Sequence, residues 1–490
     1  MRILNRETLL SHGNVQGRTA VLDILEAGLS AADPFGNTLK LIRVKGDQLY
    51  IGHPDMEPSD SPTSGELVLD LARVRRILVV GAGKGCHRVA EAIEHVLGER
   101  VTGGHVVVKH GDSVALRRVG FTFGGHPVPD EGCVRGCQAI VEVLRDLTPE
   151  DLVFTVAANG VSALLTLPVP GVSLEDVRRT TYLMQIERGT PTYELNAVRN
   201  HLDQLKGGRL SRLLQPAHAV HLLAVDPNGD TGGPDGYRRL IFENRWLHNL
   251  PESTTFADAV AVLKKWDAWD QVPASVRAHL VQADPSQETV KAPEFERTRF
   301  RIFGVMPHAH GMLPAAQRRA AELGYRPVLL SDWLQCEAKH AGTVIACIAR
   351  TIERTGSPCQ PPCALFSTGE LLVTVGDEKG VGGRNQEYAL AAALTLAGSR
   401  NTVMGAVDSD GTDGPGGQFR DGWTIPTLAG GIVDGDTAAE ALAVGVDVHR
   451  ALQTHDSTPA LWALNSGILA THGISVVDLA VTLVSGRGEA

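Results

Sequence analysis

The chain has 490 residues, 43% hydrophobic and 21% charged, with 46 Lys and Arg against 56 Asp and Glu and a formal net charge of −10. That length exceeds one ordinary hydrophobic core and predicts two domains, while the acidic balance argues against a nucleic-acid partner, which needs clustered Lys and Arg. No apolar run is long enough to span a membrane, and seven cysteines in so long a chain, behind a start that turns polar at once, suit the cytoplasm rather than a disulfide framework.

In chain order, residues 20–30 form an amphipathic helical pattern, and residues 53–66 are a loop by composition. Ile77 to Val80 is a short apolar run rich in β-branched residues, followed by Gly81-Ala-Gly-Lys-Gly85 and then by apolar residues at helical spacing, Val89, Ile93 and Val96. This reads as strand, glycine turn and helix, with Lys84 at the helix mouth. Free N–H groups, the dipole and a full positive charge then make one wall of a phosphate or carboxylate site. The named loops do not fit: a dinucleotide fingerprint needs Gly or Ala where Cys86 stands, and a Walker A loop needs Gly at Leu78 and Ser or Thr at Gly85.

Further strands are expected at Gly103–Lys109, Val119–Phe123 and Asp151–Ala157, with a helix over Cys133–Leu147. The last strand runs into a second small-residue turn, Ala158-Asn-Gly-Val-Ser162. Strands alternating with helices predict a parallel sheet with helices on both faces, and ligands at the carboxyl ends of its strands. Residues 174–214 look helical and carry a basic cluster, Arg199 and Lys206 beside Gly207 and Gly208. Val220–Val225 reads as a strand, residues 226–236 as a loop, and Trp246, Trp266 and Trp269 as packing residues. The pairs Cys133/Cys137 and Cys359/Cys363 lie far apart in the chain, which favours packing over a zinc site.

A second α/β unit is expected from near residue 298, beginning with a strand at Phe300–Val305 and including strands at Arg326–Leu330, Cys363–Ser367, Leu371–Val375, Thr402–Val407 and Ser475–Val484. In it, Gly382-Gly-Arg-Asn-Gln-Glu387 places Arg384, a bidentate donor, at a helix start. Asp408-Ser-Asp-Gly-Thr-Asp-Gly414 concentrates Asp408, Asp410 and Asp413 on a loop after a buried strand, able to hold Mg²⁺ or supply a base. Fixed cations, carboxylates and a base together suit phosphoryl transfer.

Set in order, these segments resemble the type II glycerate 2-kinases, the MOFRL group, some of which carry the name hydroxypyruvate reductase. The matching text is Gly81-Ala-Gly-Lys84, His126-Pro-Val-Pro-Asp-Glu131, Ser162-Ala-Leu-Leu165, Glu194-Leu-Asn-Ala-Val-Arg199, Lys206-Gly-Gly-Arg209, Gly369-Glu370, Gly382 to Glu387, Asp408 to Pro415 and Ala429-Gly-Gly-Ile-Val-Asp434. Asn159 and Val161 stand where the family has glycines, and the loops at 225–236 and 471–479 differ from the family text.

The resemblance implies an α/β, two-domain protein: a Rossmann-like N-terminal domain with a mostly parallel sheet, taken as residues 1–290, and a smaller MOFRL-type α/β domain, taken as 291–490, with the active site in the cleft between them. It implies ATP and Mg²⁺ and D-glycerate phosphorylated at its 2-hydroxyl. Lys84 and Arg384 are its catalytic pair. With the residue reading, Asp410 joins them as a catalytic group, and Asp408 and Asp413 are the metal carboxylates. Gly81, Gly83, Asn159, Gly160, Ser162, Arg199, Lys206, Gly382 and Gly383 are the substrate- and ATP-binding residues. Partners are a small hydroxy acid and ATP, and a homodimer stays open. The alternatives are a relative acting on another sugar acid, a non-kinase ligand-binding protein, and a reductase.

Overall fold

The computed structural model describes residues 1–226, 233–417, 420 and 422–486; most of the loop expected at 226–236 lies outside them. The chain divides into two compact units, residues 34–308 and a discontinuous unit of residues 1–33 with 309–490. These divisions differ from the expected 290/291 boundary at both ends. The early helix, α1 (Val15–Ala31), packs with the C-terminal unit, and the strand at 300–304 pairs into the first sheet. Neither pairing has a local signature, since each joins segments far apart in sequence.

The unit of 34–308 is built on β1 (Ile77–Ala82), α2 (Cys86–Leu97), β2 (Gly103–Lys109), β3 (Gly120–Gly124), α3 (Glu131–Val143), β4 (Leu152–Ala158), β5 (His218–Ala224) and β6 (Phe300–Gly304). These six strands pair in parallel in the order β3-β2-β1-β4-β5-β6. That is the doubly wound order, whose direction of winding reverses between β1 and β4. The alternation of β1 explains its two-sided burial. Ile77 and Val79 enter the core that holds Val89, Ala90 and Ile93 of α2, whereas Leu78 and Val80 enter the core that holds Cys133, Cys137 and Ile140 of α3. Cys133 and Cys137 are therefore packing residues, and among the described residues no group of three His, Cys, Asp or Glu is placed to hold a metal.

The stretch 174–214 resolves into helices Leu174–Tyr182, Thr192–His201 and Arg209–Leu213, the first continuing into a π-helical turn, Leu183–Glu187. Trp266 and Trp269 pack against the cluster formed by Phe256, Leu263 and Leu280, and Trp246 against Leu247 and Phe295. A three-stranded antiparallel sheet (Ile42–Lys45, Gln48–Ile51, Leu67–Asp70) completes this unit.

Gly81 and Gly83 are close-packing positions. A Cβ on Gly81 would sit 2.2 Å from the Val156 carbonyl oxygen, and one on Gly83 would sit 2.6 Å from that of Ala158. Both glycines thus face the neighbouring strand β4, not the open side of the turn. Gly81→Ala is expected to cost about 2–3 kcal/mol, since the obstacle is backbone in a close-packed sheet. A shift of the denaturant midpoint with an unchanged slope would register it.

The second unit holds α1, α4 (Met312–Glu322), β7 (Arg326–Leu334), α5 (Ala338–Thr355), β8 (Cys363–Gly369), α6 (Arg384–Leu396), β9 (Thr402–Asp408), β10 (Gly430–Asp434), β11 (Gly467–Ile468) and β12 (Asp478–Val484). Its sheet order is β7-β8-β12-β9-β10-β11, parallel only between β7 and β8. On one face, α5 and α6 cover Met404, Ala406, Val433 and Ala480. On the other, α1 lies against β9 and β12 and beside α4, with Val21 and Leu25 over Gly405. The segment Leu371–Val375, expected as a strand, makes only an isolated bridge from Leu372 to Glu337, and β10 has no counterpart among the expected strands. No helix among the described residues is long and apolar enough to cross a membrane.

Candidate active site

In the unit of 34–308 the site grows from the reversal point of the sheet. The turns after β1 and β4 lie side by side, and the Lys84 N–H donates to the Asn159 carbonyl at 2.7 Å. Gly160 has φ +81°, a left-handed conformation that costs a residue with a Cβ about 1–2 kcal/mol. A Cβ there would also lie 2.9 Å from the His126 ring and 3.4 Å from Lys84 Cγ. Gly160 therefore leaves room for both side chains, and brings in His126, which sequence reasoning met only within a matching motif. Lys84, Asn159, Gly160 and Ser162 are all half-buried around this point. Val161, by contrast, is 2% exposed and packs beside Leu164 and Val80. The side chain replacing a glycine at 161 points into the core and leaves the open side of the turn clear. Cys86 is fully buried, and burial pushes its thiol far up, which keeps it protonated beside the lysine.

Ser162 Oγ meets His248 Nε2 at 2.9 Å. Burial, with the charges of Lys206 and Arg199, pushes His248 well below the usual imidazole range, so it is neutral. Arg199 bonds Gln185 Oε1 at 2.8 Å, and burial lowers it to about 10, still a cation at neutral pH. Lys206 stands differently from the expectation. It is 1% exposed, and its Nζ is held by Asp203 at 2.7 Å and Thr166 at 2.9 Å. Asp203 also accepts the N–H groups of Leu167, Leu205 and Lys206. Lys206 is thus one half of a buried ion pair that closes a loop, whereas the guanidinium of Arg199 donates to the neutral side chains of Gln185 and Asn196.

In the other unit, strand register builds a separate cluster. Asp478, at the start of β12, is opposite both Gly369 and Asp408. Glu370, Asp408 and Asp478 thereby converge at one end of the sheet, where α6 delivers Arg384 from its first turn. The guanidinium donates to Asp408 at 3.0 Å, to Asp478 at 3.0 Å and to Glu370 at 3.2 Å. These carboxylates keep Arg384 firmly charged against the cost of burial. Asp478 is pushed up to about 6 by burial, against the pull of Arg384. Glu370 and Asp478 escaped the sequence reading as site residues because nothing local marks a register partner.

The rest of the Gly382–Glu387 motif is structural. Gly382 and Gly383 press on Ser457 and Asp413, where a Cβ would come within 2.3 Å. Asn385 donates its N–H and Nδ2 to Asp413 Oδ1, and the Gln386 N–H donates to Asp413 Oδ2. Both oxygens of Asp413 are taken by the start of α6, so this carboxylate anchors a helix and does not suit a metal. Burial and the Asp408 charge push it up to about 6. Glu387 meets His455 at 2.7 Å in the interior. Asp410 folds back on its own loop, its Oδ1 accepting the Thr412 N–H at 2.8 Å.

A doubly wound sheet with a lysine-bearing turn at its reversal point defines an α/β protein that holds an anion there. Comparison with known proteins narrows the class. The family model for a domain of unknown function (DUF4147) matches residues 20–232, and the MOFRL family model matches residues 363–478. The chain is 32% identical to the glycerate 2-kinase of Pyrococcus horikoshii over 95% of its own length and 99% of that protein's. It is 33% identical to the D-glycerate 2-kinase of Thermotoga maritima over 84% and 91%. The crystal structure of glycerate kinase from Thermotoga maritima superposes with a TM-score of 0.72 at 29% identity, covering 95% of this chain and 99% of that one. The chain belongs to the glycerate 2-kinase family of MOFRL-containing kinases.

Proposed function

We propose that the protein transfers the terminal phosphoryl group of ATP to the 2-hydroxyl of D-glycerate. The observation that carries this reading is similarity to two glycerate 2-kinases over 95% and 84% of the chain, combined with a lysine at the switch point of the sheet. In the reaction the glycerate hydroxyl oxygen bonds to the γ-phosphorus, the bond from that phosphorus to the ADP oxygen breaks, and the hydroxyl proton passes to a base. Lys84 supplies positive charge to the transferring group, and Arg384 is its counterpart in the second unit. Asp410 is the proposed base, and Arg199 binds the substrate carboxylate together with Ser162 and Asn159. The reductase alternative has the broken dinucleotide fingerprint at Cys86 against it.

Mg²⁺ fits the chemistry of the second unit, where Glu370, Asp408 and Asp478 outnumber the one guanidinium among them. Bound with a nucleotide, Mg²⁺ takes most ligands from phosphate and water and needs only one or two carboxylates. Asp408 is the proposed ligand; its oxygens accept from Arg384 and from the Asp410 N–H, so the ion would take the place of the guanidinium on one of them. The ion would supply neutralisation of phosphate charge.

A coupled ADP-release assay with a panel of hydroxy acids tests the reading, with phosphorus NMR to locate the phosphoryl group. D-Glycerate should turn over and give the 2-phosphate. No turnover on any acid, together with no ATP binding by calorimetry, would overturn it.

A further inference from the structure

The pair Ser162–His248 has the outline of a nucleophile and its base, but its surroundings point elsewhere. His248 is 1% exposed, and its Nδ1 has no hydrogen-bond partner among the described residues. A base in a catalytic dyad has its second nitrogen oriented by an acceptor, and none is present. Two neutral tautomers remain. With the proton on Nδ1, a buried N–H would lack an acceptor; with the proton on Nε2, only a lone pair goes unused. Orphaned buried N–H groups are the rarer and more costly of the two.

The proton therefore belongs on Nε2, where it is donated to Ser162 Oγ across 2.9 Å. The charged groups that act on the ring are Lys206, itself paired with Asp203, and Arg199. These charges oppose a second proton on the ring. The main chain that carries the ring is fixed, since the His248 carbonyl accepts the Gly208 N–H at 3.1 Å.

We infer that His248 is a positioning residue: its Nε2–H occupies the acceptor side of Ser162 Oγ, so that the serine hydroxyl hydrogen is directed away from the imidazole as a fixed donor to the substrate carboxylate. The proposed function puts Arg199, the remaining cation near His248, on the substrate carboxylate; a guanidinium pairs with carboxylate and phosphate alike, so ATP phosphate is the competing acceptor that the test separates. The inference rests on glycerate being the substrate.

The experiment measures D-glycerate affinity by calorimetry, and KM and kcat by ADP release, for Ser162→Ala, His248→Phe, His248→Gln and the double variant Ser162→Ala/His248→Phe, each with its melting temperature. A glutamine amide reaches about as far as imidazole Nε2 and restores a donor there. Ser162→Ala and His248→Phe should each weaken glycerate binding and raise its KM about tenfold, the size of one hydrogen bond to a charged group. The double variant should lose no more than the worse single variant. His248→Gln should return to within about threefold of the parent, and kcat should stay within about threefold throughout.

Additive losses in the double variant, no rescue by glutamine at an unchanged melting temperature, or a rise in the KM for ATP instead of glycerate would overturn the inference. So would a fall in kcat in the His248 variants together with loss of an acidic limb that the parent shows, which marks His248 as a base. If His248→Phe does not fold, Ser162→Ala and His248→Gln still decide it. A parent that binds D-glycerate without releasing ADP sinks the kinase reading alone, and the affinity series still decides the role of His248. A parent that does not bind D-glycerate overturns the carboxylate assignment.

Discussion

Lys84→Ala should lower kcat by about 10³-fold or more while leaving the melting temperature close to that of the parent. The main-chain part of Lys84 is structural: its N–H closes the contact between the two turns through the Asn159 carbonyl, and alanine retains that bond. What is lost is the ammonium and its half-buried methylene stem. A preorganised group aimed at charge that develops in the transition state is worth about 2.7–4 kcal/mol, or roughly 10²–10³ in rate, and the whole charge of a lysine belongs at the upper end. Lys84→Arg should recover little, since a planar fork does not replace a point charge on a flexible stem. Measured kcat within tenfold of the parent for Lys84→Ala would remove this residue from the chemistry.

The largest expected effect on stability lies far from Lys84 in sequence. Arg18 and Asp434 are both fully buried and paired through Arg18 Nε, and the guanidinium also reaches the Leu9 carbonyl at 3.2 Å and Ser466 Oγ at 3.4 Å. Arg18→Ala leaves a carboxylate uncompensated inside the unit and should cost about 3–5 kcal/mol. The double variant Arg18→Met/Asp434→Leu should regain much of that loss, because removing both charges also removes the desolvation penalty. Burial alone would raise the Asp434 carboxyl, but the Arg18 charge and hydrogen bond, with N–H groups of Asn14 and Asp436, hold it below the usual range. A depressed folded value means that the stabilisation is present above the unfolded value of about 4 and is lost as the pH falls below it. Urea titrations of parent and Arg18→Ala should therefore converge as the pH drops below about 4. Equal stability of the two at neutral pH would show that the pair contributes nothing.

What the sequence disclosed and what it concealed follow from the range of the interactions. The β1 turn was legible because a β-branched run, three glycines and a helical repeat stand within twenty residues, and the doubly wound order then placed it beside the β4 turn. Arg384 was legible for the same local reason. Lys206 looked like an anion-binding cation because its partner, Asp203, is three residues away on a loop whose burial no pattern announces. Asp413 looked like a metal carboxylate because its neighbours in sequence are polar, whereas its partners, Asn385 and Gln386, come from the start of a helix earlier in the chain. Asp478 and Glu370 become site residues only through the register of an antiparallel sheet. His248 lies far along the chain from Ser162 and is joined to it only by the fold. Families of short motifs thus mark where a site is, while the residues that orient it are set by pairings between distant segments.

The division of the chain also constrains how the protein can be made. Helix α1 leaves the ribosome before anything it will cover exists, since β9 begins only at Thr402. At about 5–20 residues per second the delay is on the order of tens of seconds, during which Val21, Leu25 and Leu29 have no sheet to meet. No single cut yields two complete parts: a fragment beginning at residue 309 lacks the helix over Gly405 and the partner of Asp434, and exposes both. A fragment of the second unit that keeps its sheet covered has to carry residues 1–33 as well, supplied as a separate peptide or joined through a linker.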